Sequence, residues 1–441
     1  MKIHSWLVFL SGLLLMAPAF SQPLVKLSPR AQSQLQAGQY GLLDEVSEVL
    51  ANVSNLRNLP IKETVQLDIM GRDELYQKLN DQIQQDLLPD EIRGEQALYI
   101  RWGMLPENFN YLDFILGLYT EQIGGFYDPK TRQLFLLKNM GLSSMDQELL
   151  VAHELTHALQ DQNFGLNQLM EKSKEANSDR QLAHMALIEG DATLTSTEYI
   201  AGLMQKKFNL LDMLGSFMNA VKMNISFEKL RQAPRFIRES MLFPYEQGLK
   251  FMQAFRKEGW SWEDMKVLYQ NPPQSTEQIL SPEKYLDGEK PLELKISDGL
   301  MKLQPKARRL TQGVLGELGW RQYFRHYLEP AEAKQASQGW GGDQYQVYEL
   351  PDQRSRLGFF TVWDQPQEAQ EFVQAYLQTL KKRYPEKSTI QTSAGDMLLQ
   401  VQADDWIFIS VKGARAMIFE GLARLSEAEL TVLKQKAFPA S

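Results

Sequence analysis

Residues 143–165 read Ser143-Ser144-Met145-Asp146-Gln147-Glu148-Leu149-Leu150-Val151-Ala152-His153-Glu154-Leu155-Thr156-His157-Ala158-Leu159-Gln160-Asp161-Gln162-Asn163-Phe164-Gly165. Ser144 followed three residues later by Gln147 has the form of a capping box, and nothing that breaks a helix intervenes before Gly165. The stretch predicts one continuous helix that Gly165 stops. Residues four apart share a helix face, so His153 and His157 project side by side, one turn apart. Two imidazoles held that way reach one metal ion at about 2.0–2.1 Å. Glu154, beside the first, is placed to take a proton from a water on that metal.

The chain has five histidines, and an accidental His-Glu-x-x-His among them is expected on the order of 0.003 times. A buried helix whose histidines merely satisfy hydrogen bonds is the plainer alternative. Leu149, Leu150, Val151, Leu155 and Leu159 bury the helix under either reading. Two imidazoles and a carboxylate in such a helix need something to offset their desolvation, and a metal does so.

A catalytic zinc keeps three protein ligands and one open position. After Gly165 the chain turns polar, as a loop, to Ser178, and a second helix is expected over 179–204. It carries Leu187-Ile188-Glu189-Gly190-Asp191-Ala192, and Glu189 is the candidate third ligand. His184 is its rival. Asp161 lies eight residues from His153, about 12 Å along the axis, too far to share the metal. It is instead one turn from His157, where it would orient that imidazole, and Asp191 is expected to hydrogen-bond one of the imidazoles.

These residues carry a resemblance. His153-Glu154-x-x-His157 followed by Glu189-Gly190-Asp191-Ala192 resembles the gluzincin metallopeptidases, in which two histidines of one helix and a glutamate of the next bind zinc. The Glu-Gly-x-Ala is similar to the aminopeptidase N group and the His-Glu-Leu-Thr-His to the neprilysin group. The resemblance covers residues 115–200 and implies a zincin-like catalytic domain with one Zn2+ per chain. Between His157 and Glu189 lie 31 residues, more than in the aminopeptidases, and the histidine that would mark a metzincin is replaced by Asn163. The Gly-x-Met-Glu-Asn signature of the aminopeptidases is absent, which counts against removal of single N-terminal residues. The chain also resembles uncharacterised bacterial exported proteins that share Pro272-Pro273-Gln274-Ser275-Thr276-Glu277-Gln278-Ile279-Leu280, a run that reads physically as a capped helix start.

Outward from this centre, residues 1–21 have the form of a signal peptide: Lys2, an apolar run from Trp6 to Met16, then Ala19-Phe20-Ser21 as a cleavage site. The run is too short for an ordinary membrane span. The expectation is an exported protein, periplasmic or secreted by a bacterium, with no stable span after processing. A net charge of −8 with no basic run makes nucleic acid an improbable partner. The absence of cysteine excludes disulfides, thiolate ligands and cysteine nucleophiles.

The remainder predicts an α+β protein. Residues 22–290 form a mainly helical catalytic domain with helices near 35–53, 74–88, 90–104 and 110–120 and a short strand at 65–69. Residues 121–137 read as a hairpin turning at Tyr127-Asp128-Pro129-Lys130-Thr131. Gly124, Gly125 and Phe126 are the candidate substrate-binding edge, where glycines let an extended peptide approach. Phe243-Pro244-Tyr245 reads as a loop entering a helix. Residues 291–441 form a C-terminal antiparallel α+β module: a strand at 292–296, a long helix over 308–328, strands at 345–350, 357–363, 397–402, 406–411 and 414–419, and helices at 364–382 and 426–436.

The expected activity is hydrolysis of peptide bonds in a protein or peptide substrate, with Glu154 as general base. Tyr127, Tyr199, Tyr285 and His326 are chemically able to stabilise the oxyanion, and spacing singles out none of them. A zincin-like protein that binds envelope proteins as an assembly factor without cutting them is the alternative, and a hydrolase of non-peptide amides a third. Oligomeric state is not legible.

Overall fold

The computed structural model describes residues 22–34, 41–71, 73–74, 76–78, 80–81, 89–121, 125–138, 145–203, 228–294, 307–385, 390–393, 396–424, 426 and 428–432. The segment 1–21 read as a signal peptide, Ser144, Gly124, much of the helix read over 74–88 and the far ends of the strand read at 292–296 and of the helix read at 426–436 lie outside these residues. The protein is α+β. Its N-terminal sheet has the order β1 (Val25–Leu27), β2 (Val65–Met70), β4 (Gln133–Leu137), β3 (Gly125–Asp128). β1–β2 and β2–β4 are parallel, whereas β3 and β4 form the expected antiparallel hairpin. Its turn closes because Asp128 accepts the Lys130 N–H at 3.0 Å and the Thr131 hydroxyl at 2.8 Å.

The motif helix (Met145–Phe164) lies along this sheet. Leu149, Ala152, Leu155 and Leu159 pack with Leu67, Leu134 and Leu136 of the sheet and with Val46, Leu50 and Val53 of the helix Gly41–Arg57. Gly165 ends it with φ +70°, its N–H returning to the Asp161 carbonyl at 2.8 Å. The polar stretch that follows is a helix (Leu166–Ala176), not the expected loop. Leu166, Leu169 and Met170, three and four apart, give it an apolar side, and the Asp161 carboxylate accepts the Leu166 N–H at 2.9 Å. Next comes the helix Ser178–Leu203, which carries Glu189.

That helix packs most extensively on Arg235–Lys257, which includes Pro244 in its interior, not at an entry turn as read from sequence. The apolar faces on both sides of the proline, Phe236 and Ile237 before it and Leu249, Phe251 and Met252 after it, are buried, and this packing offsets the lost backbone bond. In the run 272–280, Ser275 caps the helix Thr276–Leu280 by accepting the Gln278 N–H at 3.3 Å. Thr276 bonds Asp179 through its hydroxyl at 2.5 Å and its N–H at 3.1 Å, and its hydroxyl oxygen accepts the Leu318 N–H at 3.3 Å. The run is a clasp between helices.

The C-terminal sheet is antiparallel throughout, in the order β5 (Arg308–Gly313), β6 (Trp340–Glu349), β7 (Ser355–Trp363), β11 (Arg415–Leu422), β10 (Asp405–Lys412), β9 (Asp396–Gln402), β8 (Ile390–Ser393). The long helix expected over 308–328 begins only at Gly316 (Gly316–Tyr327), because residues 308–313 gain a ladder on β6. Pro366–Arg383 packs on the same sheet. The core containing Trp320, Phe359 and Phe372 also takes in Leu98, Trp102 and Leu105, and Arg101 is bidentate with Asp405 at 2.6 Å for both bonds. One hydrophobic core thus crosses the boundary read at 290/291. No described helix is long and apolar enough to cross a membrane.

Candidate metal centre

His153 and His157 sit one turn apart on the buried motif helix, their rings 4.7 Å apart and nearly perpendicular at 88°. Their Nε2 atoms face each other at 3.1 Å. Glu189 comes in from the neighbouring helix, with Oε2 3.1 Å from His153 Nε2 and 3.4 Å from His157 Nε2. The three ligand atoms all lie within 4.8 Å of one another. Two imidazole nitrogens of buried histidines and one oxygen of a half-buried carboxylate, converging in this way, are a donor set that fits a divalent ion.

The backbone brings Glu189 there. Its neighbour Gly190 packs against the backbone of Gly248, where a Cβ would come within 2.2 Å of the Gly248 carbonyl carbon. Only glycine at both positions lets the two helices cross this closely.

Electrostatics follow from burial and opposite charge. Burial alone would lower the His157 pKa, but the Glu189 charge and hydrogen bond outweigh it and raise His157 to about 9. Burial would raise the Glu189 carboxyl, and the two imidazoles override it, holding Glu189 well below the usual carboxylate range. Glu154 moves the other way. Burial pushes its carboxyl up, the two imidazoles and the Tyr127 N–H pull it down, and the Glu189 charge adds to the rise. That N–H, from edge strand β3, donates to Glu154 Oε2 at 2.8 Å.

His157 Nδ1 does not meet Asp161. It donates to Gln160 Oε1 at 2.9 Å. Asp161 is occupied elsewhere, accepting the Tyr127 hydroxyl at 3.0 Å and capping Leu166, so its expected role in orienting His157 is corrected. Asp191 bonds neither imidazole; it accepts from Gln160 Nε2 at 3.1 Å, one step removed. Gln160 reaches His157 from three residues on, a spacing the sequence offered as readily as that of Asp161. The rival His184 is buried apart from the three donors, and burial pushes it down to about 4.

On the β3 edge, a Cβ at Gly125 would lie 2.8 Å from both the Phe135 carbonyl oxygen and Leu136. The missing side chain therefore allows close packing on β4. Phe126 stacks on Phe135 at 4.9 Å. Among the oxyanion candidates, Tyr127 is spent on Asp161, Tyr199 on Glu148 at 2.7 Å and Tyr285 on the Asn271 carbonyl at 2.7 Å, and His326 lies on the helix Gly316–Tyr327, beside Tyr327. Sequence reading passed over Tyr245, whose ring stacks on His153 at 6.1 Å and 30°. Its position three residues before Gly248, on the same helix side, is the signal that the Gly190–Gly248 crossing makes meaningful.

Among the described residues a second acidic group, Glu277, Glu289 and Asp364, also converges. The Lys284 ammonium sits among its members, at 2.6, 2.8 and 2.7 Å respectively. A fixed cation already occupies the position an ion would take.

A family model described as a domain of unknown function (DUF8575) matches residues 304–430, the stretch that holds β5 to β11 and none of the three converging donors. No curated protein and no solved structure matches the chain.

Proposed function

We propose that the protein is a zinc-dependent peptidase acting outside the cytoplasm, with His153, His157 and Glu189 holding one zinc ion. The convergence of His153 Nε2, His157 Nε2 and Glu189 Oε2 carries the reading. Three such ligands suit zinc and leave a position open. Zinc bound there would supply a Lewis acid toward a peptide carbonyl and would acidify a water in the open position.

The chain's own groups do the rest. Glu154 takes the proton of the attacking water and passes it to the leaving amine, and its upward-shifted pKa brings it closer to the operating range of a general base. Its Oε2 is steadied by the Tyr127 N–H. Tyr245, stacked on His153, brings a phenol to the site and is the proposed donor to the developing oxyanion. β3 ends its sheet among the described residues, and an extended substrate would add to that edge as a further strand. The apolar run and cleavage pattern of residues 1–21 support export.

Metal analysis of the purified chain, paired with casein digestion with and without chelator, tests the reading. The expected result is about one zinc per chain and cleavage that chelator stops and added zinc restores. A chain that holds zinc yet cuts nothing belongs to the binding class, and one that holds no metal overturns the proposal.

A further inference from the structure

The helix Gly41–Arg57 ends on a guanidinium with no exposure to solvent, remote in sequence from the motif. A buried charge needs a partner of opposite sign and a reason to persist. Arg57 pairs side-on with Asp191, Nε to Oδ1 at 2.7 Å and Nη2 to Oδ2 at 3.1 Å. Its third nitrogen donates to the Trp262 carbonyl at 3.0 Å, and the guanidinium lies 4.4 Å over the Trp262 ring. Asp191 Oδ2 also accepts the Tyr269 hydroxyl at 2.7 Å and the Gln160 amide at 3.1 Å.

This arrangement dictates which way the Gln160 amide points. Its nitrogen donates to Asp191 Oδ2 and to the Ile188 carbonyl at 3.1 Å, and neither partner can donate in return. The amide oxygen is therefore the end that meets His157 Nδ1, at 2.9 Å. An oxygen there can only accept, so Nδ1 must carry the hydrogen. Neutral His157 is left with its lone pair on Nε2, facing His153 and Glu189.

We propose that Arg57, Asp191 and Gln160 are positioning residues that hold His157 in its Nδ1–H tautomer and so set the metal affinity of the site from the N-terminal helix. The inference rests on the metal-site reading above. Without the relay, neutral His157 is free to protonate at Nε2, which removes its lone pair from the ligand cluster.

Two variants of the full-length chain test it. Gln160→Leu removes the acceptor at similar size. The double variant Arg57→Met/Asp191→Leu replaces the ion pair by apolar groups, a change buried pairs commonly tolerate, and leaves the Gln160 amide held by the Ile188 carbonyl alone. Zinc affinity is read by competition with a chromophoric chelator, and the fold of the metal-free form by thermal unfolding and circular dichroism. Both variants are expected to bind zinc about 10–100-fold more weakly while the metal-free form melts near the wild-type temperature. 15N chemical shifts of His157 in the metal-free chain, followed to the alkaline pH at which they stop changing and the imidazole is neutral, report the tautomer: Nδ1–H in wild type, mixed in Gln160→Leu. Wild-type affinity or a single Nδ1–H tautomer in Gln160→Leu overturns the proposal. A wild-type chain that takes up no zinc, with the tautomer shifting as described, overturns the peptidase reading and leaves the relay standing.

Discussion

Gly190 and Gly248 touch backbone to backbone: a Cβ on Gly248 would sit 2.0 Å from the Ala186 carbonyl oxygen and 3.1 Å from the Gly190 Cα. This crossing joins the helix that carries Glu189 to the helix that carries Tyr245, so both side chains reach His153 from one seam.

Gly248→Ala separates two opposed effects. In an open helix the change stabilises by about 1 kcal/mol. Here the added methyl meets main chain that cannot rotate away, so a net loss of at least about 1–3 kcal/mol is expected. Glu189 is displaced with its helix. Thermal unfolding and zinc content should fall together, and a raised melting temperature would contradict the crossing.

Glu154→Gln keeps size and the acceptor for the Tyr127 N–H while removing the base. Turnover should drop by about 10²–10⁴-fold with zinc content unchanged. Cleavage at the wild-type rate would remove Glu154 from the mechanism.

Tyr245→Phe preserves the ring stack on His153 and deletes only the hydroxyl. Loss of one oxyanion donor is expected to lower kcat by about 10²–10³-fold, with KM and bound zinc close to wild type. An unchanged kcat assigns oxyanion stabilisation to another group.

Stability should depend on pH through Asp179, which is buried where Thr276 clasps it. Burial raises its pKa to about 7, Thr276 opposes the rise, and Asp343 and Glu317 add to it. Asp343, itself raised by burial to about 6, acts in the same direction. An unfolded aspartate ionises near 3.8, so between that value and about 7 the folded chain binds more protons than the unfolded one. Unfolding free energy therefore falls as pH rises through this window. In chelator, urea midpoints should be higher at about pH 5 than at about pH 8. Asp179→Asn should flatten that slope; an unaltered slope would assign it to other groups.

Where the physics is local, it was legible in advance. The i,i+4 spacing of His153 and His157 follows from helical geometry alone, and the Gly165 stop, the hairpin closed by Asp128 and the strands β7, β9, β10 and β11 from equally local signals, although β7 and β10 are buried on both faces and not on alternate residues. Glu189 was reachable because two helices and a ligand count left few donors. Other features depended on partners far along the chain. Residues 308–313 became a strand because β6 offered them a ladder, and residues 166–176 a helix because an apolar cluster and Asp161 awaited them.

The same division runs through the site. Sequence by itself named the two histidines, the carboxylate beside them, and Glu189 as the candidate to meet them on one ion, with His184 as its rival. Only the tertiary structure decided what orients them: Gln160 in place of Asp161, Arg57 brought to Asp191 across 134 residues, and Tyr245 delivered by a glycine crossing. A helix turn repeats whatever its surroundings, so its pattern is written in spacing. A hydrogen-bond partner is chosen by which groups packing leaves within 3 Å or so, and no interval along the chain encodes that choice.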